Sequence, residues 1–145
     1  MAKNLVYKYT ESKTRVRTLA ASVDAGTPLL DPTDQRPAVA LTNSGDRTKT
    51  VTNADIPLGG GVTSITYGNG GAGLSGTETT LAYDGTWEFA SIDGVTTSTA
   101  TGTLVYITSA GALTTTATGN TLYGVVDYPL DYAKATGVAP VRIGD

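Results

Sequence analysis

Apolar and polar positions along the chain alternate in short blocks, each closed by Gly, Asp, Asn, Pro or Ser, which is the pattern of strands joined by tight turns. Residues 7–20 alternate well enough for one or two strands, with Val16 and Leu19 among Arg15 and Arg17. Residues 22–37 read as turn chemistry around the apolar pair Leu29-Leu30, and 38–42 (Ala-Val-Ala-Leu-Thr) as a short strand. Strands are expected at 49–52 and 62–67, bracketed by Gly59-Gly60-Gly61 and by Gly68-Asn69-Gly70-Gly71-Ala72-Gly73. That glycine density predicts a long, mobile loop or hairpin extension outside the core.

The strongest signals follow. Leu81 and Tyr83 alternate before Asp84-Gly85, and Trp87 and Phe89 after it, so 79–90 is predicted as one bent strand or a tight hairpin. Residues 103–108 and 112–116 form a hairpin candidate around Ser109-Ala110-Gly111, and 121–126 is a further strand. The last strand, 138–143, contains Pro140 and is therefore expected at an edge. Residues 130–136 are the one place where a short helical turn is expected.

Composition strengthens this picture. Thr makes up about a fifth of the 145 residues, 18 are Gly, and the helix-favouring Lys and Glu are sparse. No 20–50-residue repeat is present, so a small barrel or sandwich is expected and not a solenoid or propeller. Net charge is −3, but unevenly placed: residues 1–20 carry Lys3, Lys8, Lys13, Arg15 and Arg17 against Glu11, a net +4, which leaves −7 for the rest. A basic arm on an acidic body suits docking to an acidic partner or to a neighbouring copy.

Candidate chemistry is thin. With no Cys and no His there is neither a disulfide framework nor a thiolate, imidazole base or soft metal site, and no cofactor is expected. Gly68-x-Gly70-x-x-Gly73 matches a dinucleotide fingerprint by letter, but no helix pattern follows to hold a pyrophosphate. Asp31 and Asp34 beside Pro32 form a turn, not a calcium loop. Carboxylates alone carry glycoside chemistry, and Glu88 between Trp87 and Phe89 is the best single candidate, expected to face solvent. The arm, even with Tyr7 and Tyr9, is too small a basic surface for nucleic acid, and no stretch is apolar enough to span a bilayer. The aromatics Tyr83, Trp87, Phe89, Tyr106 and Tyr123 read as core and subunit-contact material.

Several blocks, taken in order, resemble the phage capsid cement (head decoration) family. These are Ala21-Ser22-Val23-Asp24-Ala25-Gly26-Thr27-Pro28, Pro37-Ala38-Val39-Ala40-Leu41-Thr42, Leu81-Ala82-Tyr83-Asp84-Gly85-Thr86-Trp87-Glu88-Phe89, Gly102-Thr103-Leu104-Val105-Tyr106-Ile107, the 113–125 run through Gly119-Asn120, and Val141-Arg142-Ile143. The resemblance covers most of the chain except 43–78, which looks like an insertion. It implies a small β-barrel, often trimeric, seated on the outer surface of a capsid made of the major capsid protein, with no enzymatic activity. Residues and resemblance together predict an all-β, β-barrel-like domain at 21–145. To this are added an extended basic arm at 1–20 and a Gly-rich loop or hairpin insertion at about 43–78. Lys3, Tyr7, Lys8, Tyr9, Lys13, Arg15 and Arg17 are the capsid- or neighbour-contact candidates, in a virion protein made in the host cytoplasm. A tail or fibre module binding host glycan is the alternative.

Overall fold

The computed structural model describes residues 5–7, by their backbone, and residues 14–144. Among these the chain is all-β, without a helix. Its strands are β1 (Leu5–Tyr7), β2 (Thr14–Thr18), β3 (Pro28–Leu30), β4 (Pro37–Ala40), β5 (Thr48–Thr52), β6 (Ser64–Gly68), β7 (Glu78–Ala82), β8 (Gly85–Phe89), β9 (Leu104–Ile107), β10 (Leu113–Thr114), β11 (Thr121–Val126) and β12 (Ala139–Ile143).

A six-stranded sheet in the order β1-β8-β12-β11-β9-β10 curls into a half-barrel, and a four-stranded sheet, β2-β7-β4-β3, lies against it. One bent stretch of chain runs directly from one sheet into the other, as the alternation across Asp84-Gly85 predicted. β7 belongs to the smaller sheet and β8 to the larger, and Gly85 turns the corner at φ 106°, a backbone region that disfavours a side chain. Trp87 braces this corner by donating its indole N–H to the Asp84 carbonyl at 2.9 Å.

Between the sheets lies the main core, built on Trp87, Phe89, Val105, Ile107, Tyr123 and Val141, all buried. Phe89 meets Tyr123 edge-on at 5.9 Å and 74°, a favoured aromatic geometry. The Tyr123 hydroxyl crosses to the other sheet and donates to the Ala38 carbonyl at 2.7 Å, which satisfies a polar atom that burial would otherwise penalise. A bulge between Leu122 and Gly124 accommodates this: a Cβ on Gly124 would stand 2.4 Å from the Arg142 carbonyl oxygen. A second, smaller cluster (Ala38, Ala40, Leu81 and Tyr83) occupies the other face of the four-stranded sheet.

Two sequence expectations are corrected. Residues 130–136 form a turn, not a helical one: Asp131 sits at φ 62°, which stops any helix. Pro140 does not mark an edge, since β12 lies between β8 and β11. Its missing N–H falls past the end of β11, where only the Asp127 N–H reaches across, to the Pro140 carbonyl at 2.9 Å.

The glycine-rich stretch forms a separate antiparallel hairpin, β5-β6, in register from Thr48↔Gly68 to Thr52↔Ser64. Its base is fixed by close backbone crossings. A Cβ on Gly70 would stand 2.3 Å from the Gly45 carbonyl oxygen, and one on Gly45 would stand 2.5 Å from the Leu74 carbonyl carbon. Hydrogen bonds from the Asn69 N–H to the Arg47 carbonyl (2.6 Å) and from the Gly71 N–H to the Asn43 carbonyl (3.0 Å) lock the crossing. Arg47 clasps Asp24 at 2.6 and 2.7 Å, tying the base to the 22–28 loop. Gly70, one of the glycines expected to loosen this region, thus allows close packing with Gly45, and the hairpin projects as a braced strut.

Candidate functional site

β2 is an edge strand whose five residues all pair with β7, from Thr14↔Ala82 to Thr18↔Glu78. Its sequence, Thr-Arg-Val-Arg-Thr, is suited to a strand, and its other edge pairs with no strand among the described residues. Arg15 and Arg17 lie opposite the buried Leu81 and Thr79, which places them over the smaller apolar cluster.

Beside Tyr83 of that cluster lies Asp31, fully buried just after β3. Its carboxylate accepts the Arg17 Nε–H at 2.9 and 3.1 Å, the Thr33 N–H at 2.7 Å, and the Tyr83 hydroxyl. Burial pushes this carboxyl up, but the bonds from Tyr83, Thr33 and Arg17 outweigh it and hold the group at about 2. Burial and the neighbouring Asp31 carboxylate push the Tyr83 phenol up to about 12. The Tyr83 ring is covered by two cations, with the Arg36 guanidinium 4.6 Å and the Arg15 guanidinium 6.0 Å from its centroid. Arg36 also bonds Asp34 at 2.8 Å. Three guanidinium groups therefore gather against two carboxylates beside an unpaired sheet edge. Asp31 and Asp34 serve as acceptors for these cations, consistent with their reading as a turn.

Arg36 was not singled out from the sequence. It lies 19 residues from Arg17, and only the β3-β4 turn brings it to β2. Of the arm candidates, Tyr7 lies on β1 opposite Thr86, while Lys3, Lys8, Tyr9 and Lys13 lie outside the described residues. Tyr83, Trp87, Phe89 and Tyr123 are buried in the core, which leaves Tyr106 as the half-buried member of the aromatic set.

Tyr106 belongs to a second surface. Along β9 and β11, Val105 and Tyr123 point inward while Leu104, Tyr106, Leu122 and Val125 face out, paired as Leu122↔Tyr106 and Val125↔Leu104. Leu104 is 44% and Leu122 51% exposed. A solvent-facing barrel wall ordinarily alternates to polar residues at such positions. The sequence signal was there in Leu104-Val105-Tyr106-Ile107, four apolar residues in succession, which leaves both faces of the strand apolar.

Glu88 faces outward from β8, as expected, and its carboxylate accepts the Tyr132 hydroxyl at 2.6 Å. It lines an open groove of about 660 Å³ shared with 25–28, 89–91 and 111–113. Among the described residues that line it, Glu88 is the one acid, where glycoside hydrolysis uses a pair of carboxylates. Among the described residues no group of three or more Asp or Glu is placed to hold a metal ion. No family model, curated protein or solved structure matches the chain.

Proposed function

We propose that the protein is a structural virion component of the capsid cement class, which binds the outer surface of a capsid lattice and there self-associates, with trimers as the expected assembly. The observation that carries this reading is the basic edge. Arg15, Arg17 and Arg36 converge beside the edge of β2 that pairs with no strand among the described residues, in sequence continuity with the stretch that bears Lys3, Lys8 and Lys13. Such an edge accepts an extended acidic segment of the major capsid protein, with backbone pairing supplying affinity and the guanidinium groups selecting carboxylates. Multivalency over many such contacts makes the whole strong although each is modest. The ordered series of blocks that resembles the cement family points the same way.

Removing residues 1–18 is a poor test, because it strips β2 from β7 and uncovers the cluster below. Charge reversal is cleaner. Arg15→Glu combined with Arg36→Gln is expected to weaken binding of the purified protein to undecorated heads at least tenfold at low salt, and to flatten its salt dependence. Unchanged occupancy, with the variant's thermal melt preserved, would refute the role of this edge.

A further inference from the structure

The β5-β6 hairpin is amphipathic, and among the described residues its apolar face stays exposed. Lys49, Val51, Ile65 and Tyr67 share one side through the pairs Lys49↔Tyr67 and Val51↔Ile65. Thr48, Thr50, Thr52, Ser64 and Thr66 share the other, where Thr50 and Thr66 bond hydroxyl to hydroxyl at 2.6 Å. Ile65 is 48% and Tyr67 46% exposed. A lone two-stranded ribbon is at best marginal in water, yet this one stands on a base braced by glycine crossings and by Arg47–Asp24. A rigid mount holding an uncovered apolar face is the arrangement of a docking element.

Among the described residues a second apolar sheet face stands open, the outer wall formed by Leu104, Tyr106, Leu122 and Val125. Each surface remains exposed in the single chain, so neither covers the other within one copy. We propose that the β5-β6 hairpin of one copy lies across the β9-β11 wall of the next. This deepens, and rests on, the self-association in the reading above, by naming the two surfaces that meet.

Size and charge both favour this pairing over two hairpins packed face to face. The hairpin face offers three apolar side chains, a few hundred Å² at the ~150–250 Å² of a large aromatic, which falls short of the ~800 Å² per partner of a stable pair. In a head-to-tail arrangement every copy gives one hairpin and receives another, so the buried area per copy doubles, and a rotation that closes makes a ring. At the margin of the wall stand Asp127 and Arg142, 3.6 Å apart and both partly exposed, which offer an acid to Lys49 and a cation to the Tyr67 ring. A face-to-face pair places Lys49 among its own kind.

The chain has no cysteine, so thiol placement tests the contact directly. Tyr67→Cys protein mixed with Leu122→Cys protein is expected to give a disulfide heterodimer on mild oxidation, at least tenfold faster than either variant alone gives a homodimer. The double variant should give a covalent ladder ending at a single closed size, and Ile65→Asp should shift the otherwise unmodified protein to monomer in sedimentation with its melt retained. Faster Tyr67→Cys homodimers, or wild-type protein that stays monomeric at hundreds of micromolar, would overturn the proposal. All of this is measured without capsids. A chain that fails here yet decorates heads sinks this contact alone, and one that forms the ring yet ignores heads sinks the cement reading alone.

Discussion

Asp31→Ala is expected to destabilise the fold by about 3 kcal/mol, the low end of the cost of removing one partner from a buried ion pair. The carboxylate it removes is fully buried and satisfies Arg17, Tyr83 and the Thr33 N–H together. Arg17 remains about one-fifth exposed and can recruit water, which keeps the loss from being larger. The same carboxyl sets a pH dependence. Held at about 2 against an ordinary 3.8, it contributes stability that is fully present above pH 4 and is lost as pH falls through 2. That contribution is on the order of 2 kcal/mol. Urea unfolding from pH 6 to pH 2 should show the wild type losing this increment while Asp31→Asn, less stable at neutral pH, follows a flatter curve. Parallel curves would mean that the cluster does not hold the carboxylate as described.

Trp87→Ala is expected to cost about 3–5 kcal/mol, in the range for deleting a large buried aromatic. Trp87 is 2% exposed, fills the core where the two sheets diverge, and pins the β7-β8 corner through its indole N–H. Its loss opens a cavity and frees the Asp84 carbonyl at the corner where the chain passes from one sheet to the other. A denaturant midpoint measured by Tyr fluorescence checks the magnitude. Trp87→Phe, which keeps most of the volume and loses only the hydrogen bond, should cost about 1–2 kcal/mol by comparison.

Much of this architecture was legible in the sequence because strands announce themselves by local pattern. The blocks at 38–42, 79–90, 103–108 and 121–126 became β4, the β7-β8 pair, β9 and β11, and the bend at Asp84-Gly85 followed from one glycine inside an alternating run. β3 was missed because three residues opening on Pro28 look like part of a turn, and only pairing with β4 makes them a strand. The helical turn at 130–136 was wrong because seven residues cannot pay for nucleation, and Tyr132 is held instead by Glu88. Gly70 spoke for freedom locally and serves close approach to Gly45 globally, a distinction no single stretch of sequence carries. The candidate site was half legible. Arg15 and Arg17 stood out as charge, but Arg36 and the buried Asp31 join them only through the β3-β4 turn, and the uncovered wall needed the inward direction of Val105 and Tyr123 to be known.

Imaging of heads mixed with the purified protein, at subunit resolution, tests the central claim most directly. The expected result is density on the outer surface at regular lattice positions, hundreds of copies per particle in closed groups, with the β2 edge and its arginines against the capsid surface. Bare heads at saturating protein, or a few copies confined to a tail, would contradict it, and the latter would favour a tail or fibre module instead.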